Sequence, residues 1–352
     1  RLVFETALLM QDKSIQHLAA INGSGLFQGV IASNDLLKIQ GYSAVSLVQA
    51  LQRTQTIQEL GARSQKLPSL VKAIADSGAH AKSITRIIAT ISDTIIEKAI
   101  NLACSEIGTA PTDYCVVTFS SHGREEPTLL PQLELAILIS DQEENQINSD
   151  SFFQALTKKL QTYLAEAGYQ VTTAAGLPQN WHWHQSISQW QELMSEWIGS
   201  PHPKKLQTID HVFDFRCVYG DNNICSQLRN HILNGARKHQ NFVPLLIENT
   251  TSFKAPIGLF GNIVTKSSGD HPETFNINNA ILPLVNIVRA LALQNGIQAT
   301  NTLERIQELH EHRLINEHDL HEFQTIYNFL MQLRLQHQAE RRDLGEIDDF
   351  IN

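Results

Sequence analysis

Apolar residues recur at i, i+3, i+4 and i+7 through "LPSLVKAIADSG" and "ITRIIATISDTIIEKAINLACSEIG", a spacing that predicts a helical pair between Ser64 and Gly108. Pro68 suits the first turn of one helix, and Gly108 suits the stop of the other. Beyond Gly108 the period changes. "YCVVTF", "LELAILIS", "YQVTTA" and "IDHVFDFRCV" read as strands, with "SFFQALTKKLQTYLAEAG" and "QSISQWQELMSEWI" as helices between them. This alternation predicts an α/β layer with a short sheet from Tyr114 to Gly220. After Asp221 the pattern is helical up to "LHEFQTIYNFLMQLRLQHQAERR", apart from the loop "KAPIGLFGNIVTKSSGDHPE". One of these helices opens on Asn301 with Glu304 three residues on, a helix-capping signature. Ahead of the helical pair, "VFETALLMQ" reads as a helix, "IQHLAAIN" and "FQGVIA" as strands about a "GSG" turn, and "SNDLLKIQG" as a capped helix. The expected class is α/β plus α. Its units are a small α/β fragment over 1–60, a helical connector with a mixed-sheet domain over 61–225, and a helical bundle over 226–352.

At 352 residues and 42% hydrophobic content, the chain is long enough for two or three cores, at ~100–200 residues per domain. The apolar run "AILPLVNIVRALAL" is broken by Asn286 and Arg289, short of the ~20 residues a membrane span needs. The net charge of -9 and the scattered Lys and Arg speak against a nucleic-acid partner. Cys104, Cys115, Cys217 and Cys225 lack metal-type spacing and lie on apolar elements, as thiols do in a reducing compartment, so a cytoplasmic location is expected. The opening "RLVFETALLM" has no basic-then-apolar leader pattern and no initiator Met, which predicts a fragment of a longer protein.

Several motifs offer chemistry. His318 and His321 are three apart and can share a helical face as zinc ligands do, but without a third ligand at a recognisable spacing they read as a solvated helix. Trp190 and Trp197 are seven apart and read as core. "FGNIVTKSSGDHPE" lacks a strand-to-helix phosphate loop, and Ser120 and Ser121 lack a hydrolase elbow. The informative stretch is "SSHGREEPTLLPQLELAILIS": a Gly-Arg-Glu turn between two strands, with Gln132 and Glu134 at i and i+2 on one strand face.

Residues 64–352 resemble a bacterial nucleotidyltransferase family related to the uridylyltransferase that modifies the PII signal protein. The family pattern is Gly-Ser-x-Gly-Arg-x-Glu, a spacer, then Asp-x-Asp-x-Ala. The resemblance continues through "NWHWHQSISQWQELMSEWI", "FDFRCVYGD", "PIGLFG" and "PLVNIVRALALQNGIQATNTLERIQEL". It implies a polymerase-beta-type fold, a nucleoside triphosphate ligand, and Mg²⁺ held by acids, two on one strand and a third from its neighbour. Ser121, Gly123, Arg124 and Glu126 keep the family residues, whereas Ser120 stands for the first Gly. These five residues are the expected nucleotide contacts, with Lys266 near phosphate. Gln132 and Glu134 replace the two aspartates, and Asp214 is the expected third acid, so Glu134 and Asp214 are the expected metal ligands. An amide at position 132 removes one anionic ligand, which implies a degenerate site in a nucleotide-binding sensor or scaffold. The alternative is metal-dependent uridylyl or adenylyl transfer. The helical C-terminal unit corresponds to the family's substrate-binding domain, with a protein partner and a homodimer as further expectations. Residues 1–60 resemble one CBS domain through "GVIASND", in which Asp35 implies a ribose contact and Ala32 stands where a hydroxyl belongs.

Overall fold

The computed structural model describes residues 6, 9–10, 13, 15–32, 41–141, 146–174, 177–178, 182–250, 274–341 and 347–351. Asp35, Trp181 and Lys266, the "SNDLLKI" segment and the "PIGLFG" loop lie outside the described residues.

The first strands, β1 (His17–Ile21) and β2 (Phe27–Ala32), pair antiparallel as a hairpin. Next come α1 (Gly41–Gln52), α2 (Ile57–Ser64), α3 (Leu67–Asp76) and α4 (Ala81–Ile107). Pro68 sits in the first turn of α3, and Gly108 closes α4 at φ 99°, as their sequence positions predict. Helix α1 packs on α4 through Ala44, Val48 and Leu51, so the residues before the predicted helical pair share its core.

The central sheet holds β3 (Tyr114–Phe119), β4 (Gln132–Ile139), β5 (Gln170–Thr172), β6 (His184–Ser186) and β7 (Phe215–Gly220). Its order is β5-β4-β3-β7, with β6 also on β4. Strand β3 runs antiparallel to β4 and β7, whereas β5 and β6 pair parallel to successive stretches of β4. Every residue of β3 is buried, because a core lies on each face of the sheet. Tyr114, Val116, Leu133, Leu135 and Ile137 face α4 and the helix Gln146–Glu166, here α5. Cys115, Val117, Phe119, Ala136 and Leu138 face α6 (Ile187–Gly199) and, beyond α7 (Pro203–Ile209), α8 (Asn222–Lys238). Trp190 and Trp197 are buried there, as expected of core residues.

The segment read as a strand, "IDHVFDFRCV", is a correction. Residues 203–213 are helical, ending in the 3₁₀ turn Asp210–Phe213, and only Phe215–Gly220 pairs in the sheet. Ile209, Val212 and Phe213 follow a helical spacing, and all three are buried by it.

The C-terminal part is helical as expected: α9 (Phe242–Thr250), α10 (Asn278–Asn295), α11 (Thr302–Glu311) and α12 (Glu317–Arg341). Two short strands absent from the sequence reading, β8 (Phe275–Asn276) and β9 (Phe350–Ile351), close against each other. Ile281, Val288, Ile306, Leu309, Met331 and Leu335 join the same core as α4 and the first sheet face, so the helical part packs directly on the α/β layer.

Candidate functional site

Strand β3 ends at Phe119, and the chain makes a single helical turn, Ser120–Gly123, before returning to β4. Ser120 has φ 57°, a left-handed conformation that Gly adopts freely and a side chain resists. The Ser120 hydroxyl donates to the Glu134 carboxylate in a short hydrogen bond. Gly123 is packed so tightly that a Cβ there would lie 2.1 Å from the Asp214 carbonyl oxygen. Its missing side chain lets the turn sit on β7. The intervening His122 is 3% exposed, and burial followed by the nearby Arg216 guanidinium lowers its pKa to about 3, so the imidazole is neutral.

Behind the turn lies a buried ion cluster centred on Asp214, which is 0% exposed. Its Oδ2 accepts from Arg124 Nη1 at 2.9 Å, from Arg289 Nε at 2.9 Å and from Arg289 Nη2 at 2.7 Å. Its Oδ1 pairs with Arg305 Nη1 at 2.7 Å. Burial alone would raise the Asp214 pKa, but the Arg289, Arg305 and Arg124 guanidiniums hold it far below the carboxylate range. Arg124 also donates from Nε to Glu126 Oε2 at 2.7 Å. Glu126, itself buried, accepts the Thr302 backbone N–H on Oε1 at 2.5 Å and the Thr302 hydroxyl on Oε2 at 3.1 Å. Asn301 caps α11 by accepting from the Glu304 N–H at 3.2 Å, and its Nδ2 donates to the Arg124 carbonyl at 3.0 Å. The turn is thus tied to the helical part through charge and backbone at once.

In front of the turn, Gln132 and Glu134 share a face of β4 as predicted, Gln132 exposed and Glu134 partly buried. Asp210 and His211, on the 3₁₀ turn, complete this surface. His211 Nε2 lies 3.6 Å from Glu134 Oε1, and its Nδ1 lies 3.7 Å from Asp210 Oδ1. Asp210 in turn faces Arg289 Nη1 at 3.3 Å, and this contact, against the opposing effect of burial, lowers its pKa.

The donor set does not fit a pair of divalent ions. Hard cations take anionic oxygens, yet Gln132 brings a neutral amide, Glu134 accepts a hydrogen bond from the Ser120 hydroxyl, Asp210 faces the Arg289 guanidinium, and both oxygens of Asp214 face guanidiniums. Among the described residues, the one trio of His, Cys, Asp or Glu whose ligand atoms lie within 4.8 Å of one another is His318, Asp319 and Glu322, on the outer surface of α12. There His318 and His321 pair with Glu322 and Glu317 at 3.7 and 3.9 Å, the solvated arrangement expected of them.

The structure therefore gathers Ser120, Ser121, Gly123, Arg124, Glu126, Gln132, Glu134 and Asp214 around one turn, and divides them. Ser120, Ser121, Gln132 and Glu134 line the open side. Gly123, Arg124, Glu126 and Asp214 are internal, so the Arg124 guanidinium, expected at the nucleotide, is spent on Glu126 and Asp214. Sequence reasoning missed Arg289, Arg305, Asp210 and His211. Arg289 and Arg305 carried a signal: a cation among the apolar positions of a helix needs a buried partner.

Residues 65–204 match the family model described as "Putative nucleotidyltransferase DUF294", and residues 240–352 match "Putative nucleotidyltransferase substrate binding domain". No curated protein matches the chain. The chain carries a nucleotidyltransferase-family domain and its substrate-binding companion, and among the described residues no helix is long and apolar enough to cross a membrane. The family implies a nucleotide substrate and a divalent metal.

Proposed function

We propose that this chain is a nucleotidyltransferase-family protein that has given up two-metal transfer and acts as a scaffold in signalling, its former acid site converted to structural use. The observation that carries this reading is Asp214: a third acid at 0% exposure with Arg124, Arg289 and Arg305 on its carboxylate is an internal counter-ion. Supporting it, Gln132 supplies no charge, and Ser120 occupies Glu134.

A triphosphate in water also needs cations, from metal or protein. The guanidiniums on and around the turn, Arg124, Arg216, Arg289 and Arg305, are engaged with carboxylates. This favours the scaffold over the nucleotide sensor within the same reading. The β1–β2 hairpin, with Ile21, Leu26, Phe27 and Val30 exposed, belongs to the CBS-like unit and is proposed as the regulatory end of a cytoplasmic, dimeric protein.

Calorimetry with ATP, UTP, GTP and CTP, each with Mg²⁺ and with Mn²⁺, together with a pyrophosphate-release assay, tests the proposal. The expected result is neither binding nor release. Binding without release moves the protein to the sensor reading. Metal-dependent pyrophosphate release that disappears in Glu134→Gln overturns the proposal and establishes a working transferase.

A further inference from the structure

We propose that a cleft between α4, α11 and α12 binds a free amino acid as its zwitterion, with Lys82 holding the carboxylate and Glu308 the ammonium group. The proposal stands on this cleft alone and holds whether or not the acid site transfers nucleotides.

The cleft has a volume of about 410 Å³, at the lower end of the ~300–1,000 Å³ range of small-molecule sites. It lies where the two family matches meet, with Lys82 coming from the first and the α11 and α12 residues from the second. Such junctions are a common place for ligands. Helical spacing builds the walls: Glu304 and Glu308 are one turn apart on α11, and Gln324 and Asn328 are one turn apart on α12. Leu303, at the start of α11, adds apolar surface.

The fold separates two opposite charges along this cleft. Among the described residues, the side chains of Lys82, Glu308, Gln324 and Asn328 have no hydrogen-bond or ion-pair partner, whereas Glu304 is taken by Arg86 and Gln307 by Glu311, at 3.1 and 3.0 Å. One cation, one anion and two amides are thus open to an occupant. Lys82 lies in the first turn of α4 and Glu308 in the last turn of α11. The helix dipoles therefore add positive potential beside the first and negative potential beside the second. Burial raises the pKa of Glu308, with Glu304 and Glu311 adding to it against the pull of His312 and Arg305. A carboxylate in that setting gains from an incoming ammonium group.

A simple anion or cation would satisfy one pole and leave the other, while a zwitterion answers both. A nucleobase finds no stacking surface, since no aromatic ring lines the cleft. The amides of Gln324 and Asn328, each with two donors and an acceptor, then favour an amino acid with a polar side chain. Glu304, on the same wall, shares Arg86 with Glu125 of the Gly-Arg-Glu turn. An occupant therefore stands one ion-paired arginine away from that turn.

Saturation-transfer NMR of the whole chain with a panel of the standard amino acids, followed by calorimetry of the strongest binder, tests this. The expected result is one-to-one binding that is lost when the same amino acid is offered as its N-acetyl derivative or as its decarboxylated amine. Lys82→Met and Glu308→Gln are each expected to raise the dissociation constant about tenfold or more, the worth of one charged hydrogen-bonded contact. Arg237→Met, on α8 outside the cleft, is expected to leave it unchanged. Absence of binding by every amino acid overturns the proposal, as does equal binding of both derivatives or of glucose. The derivatives are compared on the wild-type chain, so the outcome stands even where a variant fails to fold.

Discussion

At the scale of single residues, this site is decided by where charge is allowed to sit. His122 is neutral in the fold because burial and Arg216 oppose its cation, so its pKa falls from 6.5 to about 3. The unfolded chain therefore takes up a proton near pH 6.5 that the folded chain refuses until about pH 3. Proton uptake favours the unfolded state across that window, and stability falls as the pH is lowered through it, by at most about 1.4 kcal/mol per pH unit. Asp214, with its pKa depressed, adds a loss only below its ordinary value of 3.8, where unfolding lets it protonate. Urea unfolding between pH 7 and 4.5 is thus expected to show a steeper decline in wild type than in His122→Gln, and parallel curves would contradict the assignment. The histidine's place was legible, since it stands inside the quoted turn. Its burial was not, because nothing local announces that Tyr169 and β7 close over it.

The same limit governs the elements. Strands β3 and β4 were readable because β3 is apolar throughout and β4 alternates, and their register then fixes which face carries Gln132 and Glu134. The stretch before Asp214 was misread, since six apolar residues in "IDHVFDFRCV" fit both periods over so short a run and only the helical packing of Val212 and Phe213 decides. Pairing between β8 and β9 joins residues some seventy positions apart and leaves no local mark. The turn itself was visible as Gly-Arg-Glu, yet its glycine serves contact with β7. Gly123→Ala places a methyl group against the Asp214 backbone, a fixed neighbour that cannot swing aside. The turn must then lift off β7, disturbing the Arg124–Asp214 pair with it. The expected loss is about 2–4 kcal/mol, from overpacking plus a weakened buried ion pair, read as a lower urea midpoint. A midpoint unchanged from wild type would mean that the close approach is not a constraint.

For the whole molecule, the consequence is that the α/β layer and the helical part form one mechanical unit. Domains joined by a modest polar interface usually move independently. Here the joint is a continuous core plus a buried network in which Glu126 and Arg124 meet Thr302 and Asn301, and Asp214 meets Arg289 and Arg305. Glu126 also sits at the start of α11, where a carboxylate complements the helix dipole and occupies a backbone N–H that the helix cannot satisfy itself. Leu129 N–H donates across the same joint to Gln338 at 3.0 Å. A scaffold benefits from such rigidity, whereas an enzyme that opens and closes on substrate draws its moving parts from weakly held regions. Scanning calorimetry of the wild-type chain is expected to show one transition spanning both parts. Glu126→Ala removes a counter-ion from Arg124 and an acceptor from Thr302 together, a loss of about 3–5 kcal/mol at the joint. The variant is expected to separate into two transitions, the helical part unfolding first because α11 loses its N-terminal anchor. A wild-type scan already resolved into two independent transitions would show that the ion cluster packs the domains together without coupling them.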